Sequence, residues 1–221
     1  MEVRVEKKLR ANDEPLDRDE HISYPAHIES LPIEILAEIF EAAVSTSKAM
    51  HVILPFQCAI SGVNRRWRAI AVSTPRLWST ILFHCDTRSV GPNVDRLYLW
   101  IDRSAPCALD ITIVVPSHIM YGSNMALVMD YIILHADRWH RLTIKDISGP
   151  IVGSVIESLY TVSAPHLQHF DLSLFQDYGR THENIFTGGA TALTSARMVG
   201  LGKICAPPLA GLTALHFGGA L

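Results

Sequence analysis

The sequence predicts an α+β chain in which a small all-helical block is followed by a short βα solenoid, truncated at its C-terminal end. Three observations predict it. Apolar residues recur at helical spacing between Ser30 and Val72. Beyond Pro75, short runs of strand character alternate with helical stripes. Several of those runs share one skeleton, apolar-x-x-apolar-x-apolar, which returns along the rest of the chain.

Composition bounds the possibilities. The chain has 221 residues, 48% hydrophobic and 19% charged, which suits a packed core rather than a disordered segment. A net charge of −3 and a pI of about 6.4 supply no global positive field, so neither nucleic acid nor a membrane surface is expected as a partner. The first twenty residues carry five basic and seven acidic side chains and hold no apolar signal-peptide core. The longest uncharged runs, Ile111 to Met129 and Ile204 to Leu221, are both interrupted by Pro, Gly and His and do not read as membrane spans. Cys58, Cys85, Cys107 and Cys205 form no CxxC pair, which points to a reducing compartment and buried thiols. The expectation is a soluble protein of the cytoplasm, the nucleus or both, with no cofactor. Lys7-Lys8-Leu9-Arg10 is too short to decide between the two compartments.

Residues 1–27 are polar, contain Pro15 and Pro25, and read as a flexible leader. The helical block begins after Ser30, where Pro32 suits a first helical position and Glu34 the positive first turn. On a helical wheel Ile35, Leu36, Ile39, Phe40, Ala43 and Val44 fill about half the circumference. An arc that wide exceeds what one neighbouring helix needs and is enough for two surfaces. Glu34, Glu38 and Glu41 form a narrow opposite stripe that reads as a solvated face. A second helical stretch from Phe56 to Val72 places Phe56, Ala59, Ile60, Val63, Trp67, Ile70 and Ala71 on one face. Gly62 is its expected point of division, and Ser73-Thr74-Pro75 its stop. A block this small is marginal unless something completes its core, a physical reason to expect a partner.

Strand-like runs follow at Thr80 to Phe83, Leu109 to Val115, Arg141 to Lys145 and His169 to Leu174, with weaker ones at Thr194 to Met198 and Ala214 to Phe217. Helical stripes lie between the early runs: Val94, Leu97, Tyr98 and Ile101, then Met125, Val128, Met129, Ile132, Ile133 and Ala136, then Ile151, Val155 and Leu159. Taking Ile81, Ile111, Leu142, Phe170, Ala196 and Leu215 as strand centres gives steps of 30, 31, 28, 26 and 19 residues. Leucine-rich repeats run about 20 to 29 residues, so these are long, irregular versions of one. Each such unit buries its apolar face by stacking on its neighbours. A terminal repeat should show a polar outer face, yet the chain stops at Phe217-Gly218-Gly219-Ala220-Leu221 with no visible cap. A fragment, a truncated gene product or an assembly covering the open end is expected.

Two motifs then carry a resemblance. Leu31-Pro32-Ile33-Glu34-Ile35-Leu36-Ala37-Glu38-Ile39-Phe40 strongly resembles the opening of an F-box, and the segment Cys58 to Ala71, centred on Asn64-Arg65-Arg66-Trp67, is similar to its second half. Ser73-Thr74-Pro75-Arg76-Leu77-Trp78 resembles the exit found in fungal F-box-like proteins. Leu99-Trp100-Ile101-Asp102-Arg103-Ser104 is similar to that group as well, where it precedes a leucine-rich-repeat-like region. The insert from Ser45 to Pro55 is longer than in the shortest F-boxes. The domain organisation expected is a leader over 1–27, an F-box-like domain over 28–80 and a leucine-rich-repeat-like region over 81–221. The resemblance implies a substrate receptor of a Skp–cullin–F-box ubiquitin ligase. Its F-box docks on the Skp-type adaptor, and through it a cullin, while the C-terminal region takes an unidentified protein substrate. Carried over by position, the implied adaptor contacts are Leu31, Pro32, Ile35, Leu36, Ile39, Val63 and Trp67. Such a receptor does no chemistry; it raises the effective concentration of substrate lysines near the conjugating enzyme.

Rival readings are an interaction scaffold without ligase coupling and an α/β hydrolase-like enzyme. The sequence holds no GxSxG, no GxxxxGK[ST] and no HExxH, and Gly200-Leu201-Gly202-Lys203 lacks the upstream glycine of a phosphate loop. His135, His140, His166 and His169 do not assemble a three-ligand zinc set by spacing, and Asp130, Asp137 and Asp146 define no carboxylate pair. Arg65, Arg66 and Arg68 are spread around the flanks of their helix instead of forming a nucleic-acid stripe. No catalytic residue, metal ligand or cofactor site is assigned.

Overall fold

The computed structural model describes residues 28–46, 55–85, 90–115, 125–147, 150–174, 184–200 and 206–218. The expected leader, Cys205 and Gly202-Lys203 lie outside them. Backbone contacts divide the chain into two units, Met1–Pro32 and Ile33–Leu221. In the first, the described residues form one 3-10 turn, Ile28–Ser30, closed by the Leu31 N–H donating to the Ile28 carbonyl.

The second unit opens with three helices, α1 (Ile33–Thr46), α2 (Phe56–Val63) and α3 (Arg65–Val72), which pack on one another. The second helical stretch divides at Asn64 and not at Gly62. Asn64 is extended (φ −155, ψ 177), and its side-chain oxygen accepts the Trp67 N–H at 2.8 Å. This supplies a strong N-cap, whereas Gly62 stays helical with open space around its Cα. Arg68 Nε spans the break by donating to the Ser61 carbonyl at 2.8 Å. α3 ends where Thr74 Oγ1 donates to the Ile70 carbonyl, and a 3-10 turn, Pro75–Trp78, leads out. Trp78 is buried and donates its indole N–H to the Ala71 carbonyl at 2.8 Å.

Six strands follow: β1 (Thr80–His84), β2 (Leu109–Val114), β3 (Trp139–Ile147), β4 (His169–Leu174), β5 (Ser195–Val199) and β6 (Ala214–Gly218). They form one sheet in chain order, each parallel to its neighbours. Parallel neighbours need crossovers, and α4 (Val90–Arg103), α5 (Met125–Ile133) and α6 (Pro150–Tyr160) supply the first three. The connections into β5 and β6 contain turns but no helix among the described residues.

The strand centres read from the sequence are one row of the sheet: Ile81, Ile111, Leu142, Phe170, Ala196 and Leu215 are successive Cα partners. Phe83, Ile113, Ile144, Leu172, Met198 and Phe217 form the next core-facing row. β3 departs from this regularity twice. An extra residue, His140, sits opposite the Leu109/Asp110 step, and a second irregularity surrounds Asp146, whose φ is 61°.

The helical block joins the sheet through aromatic packing. Trp78 meets the Trp100 edge at 6.0 Å between ring centres, and the Arg103 guanidinium lies 4.6 Å over Trp78. A second tie connects the two crossovers. Arg138 donates to the carbonyls of Cys107 (3.0 Å) and Ile101 (3.4 Å) and to Ser104 Oγ (2.7 Å), satisfying the C-terminal end of α4.

Candidate functional site

The wide apolar arc of α1 is divided between two environments. Leu36 and Phe40 point inward and are fully buried, and the Phe40 ring packs on Trp67 at 5.0 Å. Ile35 and Ile39, one turn apart, remain 42% and 41% exposed. Ile33 at the helix start and Val63 at the end of α2 are more exposed still. β-branched side chains in water cost free energy that a partner surface would recover, about 1 kcal/mol for each half-buried side chain. Beside this stripe Glu34 and Glu38 are solvated, while Glu41 pairs with Arg76 at 3.6 Å.

The candidate contacts therefore separate. Ile35, Ile39 and Val63 present exposed apolar surface. Leu36 is core, beneath the surface and not part of it. Trp67 is half-buried; its indole N–H is shielded from solvent and has no hydrogen-bond partner among the described residues. Leu31, half-buried, and Pro32, exposed, belong to the first unit and immediately precede α1.

The outward face of the sheet is polar and holds the other clustered groups. The extra residue in β3 places His140 Nδ1 2.8 Å from Asp110 Oδ1, and the His169 ring stands edge-on to His140 at 5.7 Å. Arg141 is the Cα partner of His169. Burial, with the neighbouring Arg141 and His140 adding to it, holds His169 below the ordinary histidine value. Asp171 meets Arg197 at 3.4 Å. No group of three His, Cys, Asp or Glu among the described residues is placed to hold a metal ion. No helix among them is long and apolar enough to cross a membrane.

The cysteines are less uniform than expected from sequence. Among the described cysteines only Cys85 is buried, and burial pushes its thiol up to about 12; Cys58 and Cys107 are half-exposed. Partial burial also raises Cys58, against the opposing charges of Arg96 and Arg103. A raised thiol pKa is the opposite of nucleophile activation. Sequence reasoning missed two structural residues. Asn64 had a readable signal, a capping residue directly before a helical run; Arg138 had none, because its partner Ser104 lies 34 residues away.

Residues 28–84 match a family model described as F-box-like. No curated protein and no solved structure matches the chain. F-box domains in general bind Skp-type adaptors within Skp–cullin–F-box ligases and are typically non-catalytic. The match runs from the 3-10 turn at Ile28 to the end of β1, so the exposed stripe of α1 lies within an F-box-like domain that this chain carries.

Proposed function

We propose that the chain is a substrate receptor of a Skp–cullin–F-box ubiquitin ligase, working in the cytoplasm, the nucleus or both. The exposed stripe of Ile35 and Ile39, with Val63, docks the Skp-type adaptor, and the cullin joins through that adaptor. The region from β1 onward is a leucine-rich-repeat-like solenoid whose polar sheet face takes a protein substrate. The observation that carries the reading is the division of the α1 arc inside the matched domain: Leu36 and Phe40 hold the fold, while Ile35 and Ile39 stay uncovered. Strand order and the shared register row support the repeat reading, since each strand–crossover unit stacks on the one before it. The region does no chemistry in this account; it holds a substrate near the conjugating enzyme.

The test is co-expression with a purified-tag Skp-type adaptor, followed by addition of the cullin. Co-purification of a three-component complex is expected. A folded chain that leaves the adaptor behind overturns the ligase reading and leaves an interaction scaffold without ligase coupling.

A further inference from the structure

The start of β3 holds one more residue than the strand beside it, and that residue redirects the charges around it. Asp110 of β2 and Arg141 of β3 are Cα partners, an arrangement in which a carboxylate and a guanidinium can pair across strands. They do not pair here. The inserted His140 takes Asp110 instead, with its Nδ1 2.8 Å from Oδ1. Arg141 is exposed, and among the described residues no carboxylate pairs with it. The remaining carboxylates of β3 and β4 are engaged or distant. Asp171 meets Arg197 at 3.4 Å, and Asp146 lies further along β3, about 16 Å from Arg141 at strand rise. On the β4 side the Cα partner of Arg141 is His169, whose ring stands edge-on to His140 at 5.7 Å. Among the described residues this outward face exposes no large apolar side chain.

We infer that the start of β3 is a site for an acidic segment of a protein substrate, with Arg141, flanked by His140 and His169, receiving an Asp or Glu carboxylate; the inference rests on the reading that this sheet face takes the substrate. Charge complementarity carries it. The planar guanidinium fork donates two parallel N–H bonds to a single carboxylate. The chain as a whole is acidic, at −3, so a guanidinium left without a carboxylate is a local feature and not a consequence of composition. With no large apolar anchor on the face, recognition there falls to charge and hydrogen bonds. His140 is a positioning residue: by holding Asp110 it keeps that carboxylate from closing on Arg141. One guanidinium matches the single charge of a carboxylate, whereas a phosphate dianion is met by clusters of arginines. A lone exposed fork makes a weak contact, so the site contributes to specificity more than to affinity.

The experiment is fluorescence anisotropy of the 221-residue chain with a labelled peptide of alternating Glu and Ser, beside counterparts carrying Gln or phosphoserine in place of Glu. Saturable, salt-sensitive binding of the Glu peptide is expected, absent with Gln and weakened about fivefold by Arg141→Gln. His140→Ala should weaken it as well, by freeing Asp110 to pair with Arg141. Adding Asp110→Asn to that variant should restore binding, a recovery that a merely structural role of His140 would not give. Circular dichroism confirms that each variant is folded. No binding of the Glu peptide, binding that Arg141→Gln leaves intact, no recovery with Asp110→Asn, or binding of the phosphoserine peptide alone overturns the inference. Adaptor co-purification is a separate readout: a chain that retains the adaptor but ignores the Glu peptide keeps the receptor reading and loses this one.

Discussion

At β1 the sheet lies beneath a helical block; at β6, the last described strand, the core-facing side chains stand uncovered. Both edges carry the same two core-facing positions, occupied by Ile81 and Phe83 at one end and by Leu215 and Phe217 at the other. Ile81 and Phe83 are 2% and 4% exposed, while Leu215 and Phe217 stand about half in water. The composition of the strands does not produce this difference, since an aliphatic and a phenylalanine sit at equivalent positions in each. The difference comes from what stacks on them. Trp78, Leu77 and α4 cover the first end, so the F-box-like domain also acts as a cap for the sheet. The lesson is that the helices of the matched domain and the sheet share one core, and a perturbation of one is felt in the other.

The largest test of that shared core is Trp78→Ala. It removes a buried indole, its hydrogen bond to Ala71 and its contacts with Trp100 and Arg103, and is expected to cost about 3–5 kcal/mol. Urea unfolding followed by fluorescence and by circular dichroism would measure it. Loss confined to the helical block, with the sheet unaffected, would break the comparison.

A matched pair of deletions sharpens it. Phe83→Ala at the covered end should cost about 3 kcal/mol. Phe217→Ala at the open end should cost below about 1 kcal/mol in dilute solution, because much of that ring is already solvated. Equal costs would mean that the two ends are equally covered. Between those two lies Arg138→Met, which keeps the alkyl stem and removes three hydrogen bonds from a cationic donor. A loss of about 2 kcal/mol is expected from chemical denaturation.

The smallest effect is a pH dependence. Burial, with Arg138 adding to it, holds His135 below the ordinary histidine value, and burial with Arg141 and His140 does the same for His169. A histidine depressed in the folded state takes up its proton first in the unfolded chain. Its stabilising contribution is therefore full above about pH 6.5 and declines as pH falls through that value toward the folded pKa. Melting temperatures of the wild type and of His135→Gln/His169→Gln, compared near neutrality and about two pH units lower, should show the larger acid loss in the wild type. Equal losses would remove the two histidines from the account.

Much of the architecture was legible because period-2 runs and their spacing encode both the strands and their register. His169–Leu174 appears where alternation placed it, and the strand centres fall in one row. The site was half legible. A helical wheel shows that Ile35, Leu36, Ile39 and Phe40 form one arc, but which part of a half-circumference faces the core depends on where α2 and α3 lie. Leu36 thus belonged to the implied contacts until packing placed it inside. The His140 irregularity and the Arg138 clamp depend on residues far apart in sequence, for which local pattern carries no signal.

The most direct test of the central claim is a calorimetric titration of a purified Skp-type adaptor into the wild-type chain and into Ile35→Asp/Ile39→Asp. Both residues are exposed, so the variant should fold, whereas Leu36→Asp would test folding instead of docking. The account predicts saturable binding by the wild type and loss of binding by a variant with unchanged circular dichroism. Unaltered binding by that variant, or no binding by the folded wild type, would contradict it.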